Sequence, residues 1–286
     1  MSDKPLLCLG TGLGIEKECS CLEQMELIKN AGYDAFFSDK IKHSDYKDAE
    51  LYAKKGAKLG LVYQSIHAPF YGMDDIWHDE SGELADIMIK DLLNSIDDCA
   101  RFDVPLVIMH GIIGMDNVTP NKLGVDRLEK VIDYAVKRNI KIGFENTEGE
   151  MYLDAIFERY GEVENVGFTF DSGHEMCYNR SEDMLARFGK YIFSTHLNDN
   201  YGMTDPDELT FLDDRHLMPF DGKADWNGIA ERLHKCNFND ILTFELNARG
   251  RSGDRANTQY LKMTPEEYIN ETYLRAVKFR DIYLSN

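Results

Sequence analysis

IKIGFEN at residues 140–146, NVGFTFD at 165–171 and YIFSTHL at 191–197 are three short apolar runs, separated by segments with helical spacing. Each run is rich in Ile, Val, Phe or Tyr and is bounded by polar residues such as Asn or Asp, a pattern typical of a buried strand. Buried strands that alternate with helices predict an α/β fold with a parallel sheet.

Five further runs extend this pattern to both ends of the chain. They are LLCLG (6–10), YDAFF (33–37), LVYQSIH (61–67), VPLVIMH (104–110) and DILTFEL (240–246). Segments between the runs keep apolar residues on one helical face. In 123–136 that face comprises Leu128, Val131, Ile132, Ala135 and Val136. Thr264-Pro265-Glu266-Glu267 predicts the start of a last helix with a capping box.

Eight strands that alternate with helices in 286 residues predict a single (β/α)₈ TIM-barrel domain over residues 1–286. The alternative is a doubly wound open sheet, which a glycine-rich dinucleotide loop would favour. The stretch Gly10-Thr11-Gly12-Leu13-Gly14 follows the first run, but it does not match GxGxxG followed by a helix.

The charge and composition exclude several classes of protein. The chain has 32 basic and 51 acidic residues, a net charge of −19, which disfavours nucleic-acid binding. No apolar run approaches the length of a membrane helix, and the N-terminus does not resemble a signal peptide. The six cysteines form no CxxC pair. We therefore expect a cytoplasmic protein with reduced thiols, no membrane partner and a small-molecule substrate; an oligomer is not excluded.

Metal-ligand side chains lie at the ends of six of the eight predicted strands. They are His67, His110, Glu145 with Asn146 beside it, Asp171 with His174 beyond it, His196, and Glu245. One such residue alone is usually structural, but the carboxyl ends of barrel strands meet at one mouth. Carboxylates crowded there repel one another unless a cation or protons compensate. Imidazole with carboxylate suits Zn²⁺ or Mn²⁺, so we predict a divalent metal site.

The irregular segment from about 198 to 225 contains Asp214-Arg215-His216. In an extended segment, Asp214 and His216 would point the same way. They are a candidate second metal site, although a substrate-binding edge or a salt-bridged loop would also explain them. Arg215, Arg249 and Arg251 are candidates to hold a phosphate if the substrate carries one.

Seven motifs together resemble the xylose-isomerase-like TIM-barrel superfamily, and within it the sugar phosphate isomerase/epimerase family. The motifs are SIHAPF (65–70), VIMHG (107–111), GFENTEGE (143–150), FTFDSGH (168–174), STHLNDN (194–200), DDRHLMPFDGKADW (213–226) and TFEL (243–246). Related groups are the ketose 3-epimerases, the inosose isomerases and endonuclease IV. The resemblance covers essentially the whole chain.

The resemblance implies one divalent ion held by Glu145, Asp171, His196 and Glu245. It also implies that Glu145 and Glu245 act as acid and base. We therefore predict a metal-dependent sugar or sugar-phosphate isomerase or epimerase, which removes the proton alpha to a carbonyl through a metal-stabilised enediolate. The predicted substrate contacts are His67, His110, Asn146, His174, Arg215 and His216.

Two alternatives remain on the same barrel. One is a metal-dependent lyase or dehydratase for a keto-polyol or keto-glycoside. The other is an endonuclease IV-like phosphodiesterase, whose nine ligand positions find matching residue types here: His67, His110, Glu145, Asp171, His174, His196, Asp214, His216 and Glu245. The net charge of −19 opposes DNA binding, and Glu148 and Glu150 would add negative charge near a phosphate.

Overall fold

The computed structural model describes residues 4–39, 46–113 and 119–286, and in them eight parallel strands form one sheet. The strands are β1 Leu7–Gly10, β2 Ala35–Asp39, β3 Val62–His67, β4 Leu106–His110, β5 Lys141–Glu145, β6 Val166–Asp171, β7 Ile192–His196 and β8 Leu242–Phe244. Their order is β7-β6-β5-β4-β3-β2-β1-β8. A parallel bridge between Leu197 and Phe244 joins the two outer strands. This closure confirms the TIM barrel and excludes the open doubly wound sheet.

Helices follow the strands and cover the outside of the barrel. They are α1 Cys21–Ala31, α2 Tyr46–Leu59, α3 Met73–His78, α4 Glu83–Arg101, α5 Lys122–Arg138, α6 Glu150–Tyr160, α7 Ser172–Cys177, α8 Met184–Phe188, α9 Trp226–Lys235 and α10 Pro265–Ser285. The capping box predicted at Thr264 begins α10, because Thr264 accepts the backbone N–H of Glu267 and Glu267 accepts that of Thr264. In the described part of the chain, no helix has the length and apolarity needed to cross a membrane.

The main apolar core lies between the strands and these helices. On α5 it takes in the predicted residues Leu128, Val131, Ile132 and Ala135, whereas Val136 is 43% exposed. Val136 differs because it lies one residue beyond Ala135, about 100° further round the helix.

The pleat of the strands separates this core from the barrel interior. Val107 and Met109 of β4 pack in the apolar core. His110, which alternates with them, points to the other face and approaches Glu145 of β5. Side chains at the carboxyl ends of the strands are therefore collected at one mouth.

Each strand begins one or two residues later than the predicted run, and the carboxyl ends differ most at β2 and β8. The second strand runs to Asp39 rather than stopping at Phe37, and β8 is limited to Leu242–Phe244, so Glu245 directly follows it. Neither difference changes the face on which the strand-end residues lie.

Candidate metal centre

Four ligand-type side chains meet at the carboxyl ends of β5 to β8. Glu145, Asp171 and His196 end their strands and Glu245 follows β8. Each offers a ligand atom within 4.8 Å of the others. Glu145, Asp171 and His196 are fully buried, whereas the side chain of Glu245 is 21% exposed. We refer to these four residues as the four-residue cluster.

The four-residue cluster has the donor chemistry of a divalent-cation site. His196 Nδ1 lies 3.0 Å from Glu145 Oε1 and 3.0 Å from Glu245 Oε2, although one ring N–H can point well at only one acceptor. Three carboxylates this close repel one another unless positive charge compensates. Carboxylate and imidazole ligands suit ions such as Zn²⁺. The residues present therefore fit a divalent ion.

Asp171 is held in place by three neighbouring groups. Its Oδ1 accepts the backbone N–H of His174 (2.6 Å), and its Oδ2 accepts the side-chain amide of Asn198 (2.9 Å). Asn146 accepts the backbone N–H of Asp171 (2.7 Å) and donates to its carbonyl (2.9 Å). Asn146 is fully buried. Asn146 thus fixes the backbone of Asp171, and its predicted contact with the substrate stays a prediction.

Glu145 links the four-residue cluster to two histidines. Its Oε1 faces His196, whereas its Oε2 lies 3.3 Å from His67 Nε2 and 3.6 Å from His110 Nε2. His67, His110 and Glu145 form a second group with ligand atoms within 4.8 Å of one another. Phe70 stacks on the His110 ring at 4.7 Å. Two of the four histidines predicted to bind substrate, His67 and His110, therefore lie at the mouth.

Asp214 and His216 lie side by side, as the sequence analysis expects, although His216 has a left-handed backbone (φ 47°) rather than an extended one. His216 Nε2 lies 2.9 Å from Asp214 Oδ1, and His174 Nε2 lies 3.6 Å from Asp214 Oδ2. The three residues form a third ligand-type group. Arg251 also pairs with the Asp214 carboxylate and donates to its carbonyl oxygen at 2.7 Å. A cationic side chain is thus already bound where the candidate second metal would bind, and that metal stays a prediction.

Comparison with known proteins gives the family. The model of the xylose isomerase-like TIM barrel family matches residues 25–271. The chain belongs to this family. It is 31% identical to the protein y4fM of Sinorhizobium fredii (strain NBRC 101917 / NGR234), over 77% of this chain and 79% of that protein.

Solved structures with this fold include two informative neighbours of our xylose isomerase-like barrel. One is the IolI protein, crystallised with a bound zinc atom (TM-score 0.73, 21% identity, 98% of both chains). The other is D-psicose 3-epimerase with D-tagatose from Clostridium cellulolyticum H10 (TM-score 0.69, 13% identity, 98% of this chain and 99% of that one). At these identities the two structures establish the fold.

Burial and charge pairing oppose each other in the four-residue cluster of this xylose isomerase-like barrel. Burial raises the pKa of Glu145, but the charge of His196 and hydrogen bonds from histidines outweigh it and hold the pKa well below its usual range. Burial also raises the pKa of Glu245, but the charge and hydrogen bond of His196 outweigh it and lower the pKa to about 2. Burial lowers the pKa of His196, but the two glutamates raise it well above its usual value. For Asp171, burial dominates and raises the pKa to about 6.

The three arginines predicted to hold a phosphate are bound to other protein groups. Arg215 donates to Asn257 Oδ1 (3.2 Å) and to the Ala256 carbonyl (3.1 Å), Arg249 pairs with Glu18, and Arg251 pairs with Asp214. Arg215 thereby attaches the segment 256–257, and its predicted contact with the substrate stays a prediction. The residues on either side of Arg215 face the site, because Asp214 lies 3.6 Å from His174 and His216 lies 3.9 Å from Glu245.

Asp39, at the end of β2, is a site residue that the sequence analysis missed. Phe37 stacks on His196 with ring centroids 4.9 Å apart, so Phe37 points into the barrel. Side chains two residues apart on a strand share a face, so Asp39 also points inward, closer to the mouth. Burial raises the pKa of Asp39 to about 6, although His67 opposes the shift. The alternation Phe37-Ser38-Asp39, continued past the predicted strand end, is the signal that would have found it.

Proposed function

We propose that the protein is a divalent-metal-dependent isomerase or epimerase of sugars, which moves a proton on the carbon next to a substrate carbonyl. The observation that carries the proposal is the convergence of Glu145 and Glu245 on one nitrogen of His196. Isomerisation and epimerisation both need a base that takes a proton and an acid that returns one. Two glutamates beside one substrate can do both.

Glu145, Asp171, His196 and Glu245 would hold the ion. When bound, it would supply Lewis-acid stabilisation of the negative charge that develops on the substrate oxygen. The zinc atom in the structure of the IolI protein supports this assignment. Asp171, whose two oxygens already accept hydrogen bonds from His174 and Asn198, is proposed as a ligand only.

The surroundings of the two glutamates fit the two proton transfers. Both have a pKa held below its usual value, so both are ionised at neutral pH and can accept a proton. His67 and His110 contact Oε2 of Glu145 and fix its orientation. Glu245 is partly exposed. In the proposed reaction one glutamate takes the proton alpha to the carbonyl, and the other returns a proton to the adjacent carbon or to the opposite face.

The substrate would be oriented by histidines at the mouth. His67, His110, His174 and His216 all have ring nitrogens within 4 Å of a carboxylate of the site. Neutral or protonated imidazole can donate hydrogen bonds to sugar hydroxyl and carbonyl oxygens. The structure of D-psicose 3-epimerase with D-tagatose supports a ketose as the substrate class.

Metal analysis and proton exchange together test this proposal. We expect about one divalent ion per chain in wild type and its loss in Asp171→Ala, since a buried ligand is removed. Asp225→Ala, which removes the N-cap of α9 outside the four-residue cluster, is the control. Metal-loaded wild type should exchange the alpha proton of D-tagatose, D-allulose or L-ribulose for deuterium in D₂O, measured by proton NMR. A fully metal-loaded enzyme that exchanges none of them would contradict the proposal.

A three-ion phosphodiesterase is the second candidate, because the described residues hold three groups of ligand-type side chains. Three ions per chain in the same metal analysis would favour it. A lyase or dehydratase for a keto-polyol or keto-glycoside would use the same glutamates for its first proton abstraction. The NMR experiment distinguishes it, because the product of elimination would appear instead of an epimer.

A further inference from the structure

Asp39 lies across the barrel mouth from Asp171 of the four-residue cluster and two strands away from Glu245. In the closed ring, β2 is four strands away from β6, so Asp39 faces Asp171 across the mouth. Asp39 pairs with His67 in the register of β2 and β3, which places it at the level of the other strand-end residues. Asp39 is therefore one of the strand-end residues around the mouth in which a substrate bound to the cluster would lie.

The carboxylate of Asp39 lies against Gly12, in the segment that follows β1. The chain leaves β1 through Gly12, and a methyl group at Gly12 would overlap Oδ2 of Asp39. A glycine at this position thus provides the space that the carboxylate occupies. In the described residues, Asp39 belongs to none of the three groups whose ligand atoms lie within 4.8 Å of one another. It is close to the site, but it is not placed as a metal ligand.

Among the residues that the structure describes, none donates a hydrogen bond to the buried Oδ1 of Asp39. A buried carboxylate oxygen that is unsatisfied costs free energy, so a donor is expected to reach it in the working enzyme. Arg249 and Arg251, which could have supplied one, are paired with Glu18 and Asp214. A sugar hydroxyl is a suitable donor. A phosphate group is not, because the carboxylate would repel its negative charge.

We propose that Asp39 is a specificity-determining residue whose carboxylate accepts a hydrogen bond from a substrate hydroxyl, and that it thereby selects an uncharged polyhydroxy substrate. The inference rests on the proposed function for the site, since it places a sugar between Asp39 and the four-residue cluster. It adds a recognition contact on the β2 side of the mouth.

The test measures binding rather than turnover. D-tagatose, D-allulose and L-ribulose are titrated into zinc-loaded wild type by calorimetry, and the tightest ketose is then compared with its monodeoxy derivatives. We expect Asp39→Ala to weaken binding of the parent ketose by roughly 10- to 150-fold, the usual effect of losing a hydrogen bond to a charged group. One monodeoxy derivative should bind wild type and Asp39→Ala equally, because it lacks the hydroxyl that Asp39 contacts.

Three further variants separate this role from a structural one. Asp34→Ala removes a carboxylate at the other end of the barrel, where Asp34 accepts the backbone N–H of Leu7, and should leave ketose binding unchanged. Gly12→Ala should displace the Asp39 carboxylate and reproduce the loss while Asp39 itself is retained. Asp39→Asn should lose less affinity than Asp39→Ala, because the amide keeps one acceptor oxygen.

The outcomes also distinguish this inference from the proposed function. Unchanged affinity in Asp39→Ala, or an equal loss for every monodeoxy derivative, would overturn the hydroxyl contact and would indicate that water satisfies Oδ1. Loss of zinc from Asp39→Ala would overturn it in favour of a metal-binding role. If wild type binds a ketose without exchanging its alpha proton, the proposed function fails while the Asp39 contact is still tested. If no ketose binds wild type, both are overturned.

Discussion

At the scale of single residues, the two glutamates of the site differ in how firmly their carboxylates are held. Glu145 is contacted on both oxygens, by His196 on one side and by His67 and His110 on the other. Glu245 approaches His196 with one oxygen and is partly exposed. A fully enclosed carboxylate cannot reorient without breaking several contacts, whereas a partly exposed one can. We therefore expect one glutamate to take the proton and the other to return it, so that the two roles can be separated by mutation.

Replacing each glutamate by glutamine tests which one takes the proton and which one returns it. An amide keeps an oxygen for the metal but cannot accept a proton, so Glu145→Gln and Glu245→Gln should each lower turnover by roughly 10²–10⁴-fold. Metal occupancy should fall less than in Asp171→Ala. The variant that lacks the base should also lose deuterium exchange at the alpha carbon, whereas the other can still exchange. Proton NMR of a responsive ketose in D₂O, with metal analysis of each variant, makes the comparison.

Glu150→Gln, which changes a glutamate at the start of α6 outside the four-residue cluster, is the matched control for this experiment. Full activity in either cluster variant would exclude its glutamate as an essential acid or base. Wild-type turnover without deuterium incorporation would instead indicate a shielded proton return or a hydride shift.

The residues predicted best from the sequence are those placed by a strand end. His67, Glu145 and Asp171 could be assigned to one mouth because the carboxyl ends of parallel strands converge. The destinations of Asn146 and Arg215 could not be predicted, since their hydrogen-bond partners are Asp171, 25 residues away, and the segment at 256–257. Partners so distant are set by tertiary packing, and local pattern carries no information about them. The predicted roles of the strand-end residues in metal binding and catalysis stay predictions.

At the scale of elements, the contact between α3 and α5 shows tertiary packing overriding local preference. Gly124 lies in the first turn of α5, where alanine would ordinarily favour the helix. The indole of Trp77 on α3 occupies the position of the missing side chain. Trp77 is fully buried, and its Nε1 donates to the Gly111 carbonyl at 2.8 Å, so the ring cannot simply turn aside.

We therefore expect Gly124→Ala to destabilise the protein, opposite in sign to its effect on an isolated helix. Alanine would gain up to about 1 kcal/mol from helix propensity, but overpacking against Trp77 should cost about 1–3 kcal/mol or more. Urea or thermal denaturation measures the difference. Val136→Ala, at an exposed position on the same helix, is the control and should change stability little. A more stable Gly124→Ala would show that Trp77 repacks at little cost.

The end of β2 is a second feature at this scale that the sequence pattern does not predict. The apolar run that predicts the second strand ends at Phe37, and the polar residues Ser38 and Asp39 follow it. In the structure, Asp39 pairs with His67 of β3, so the strand continues through it. Polar residues at the mouth of a barrel are compatible with strand structure, since the mouth is where such residues are used. The omission of Asp39 from the predicted site and the error in the strand limit therefore have the same cause.

At the scale of the whole molecule, closure of the barrel and the net charge restrict the substrate. The ring of eight strands brings ligand-type residues from β2 to β8 to one mouth, and arginines near it are paired with Glu18 and Asp214. The chain as a whole carries 51 acidic residues against 32 basic ones. Such a field disfavours polyanions and leaves small uncharged ligands unaffected. The extent of the domain over residues 1–286 stays a prediction.

Abasic duplex DNA is the substrate that best tests this restriction, because the three ligand-type groups would otherwise suit a three-ion phosphodiesterase. Affinity for duplex DNA depends on Lys and Arg side chains that neutralise phosphates, and a net charge of −19 opposes that contact. We expect neither a gel shift nor incision of an abasic duplex at physiological salt, with the protein loaded with excess zinc. Lowering the salt should not produce binding, since weaker screening also strengthens the repulsion between the acidic surface and the phosphates. Incision at ordinary enzyme concentration, together with three bound ions, would show that local groups at the mouth outweigh the charge of the whole chain.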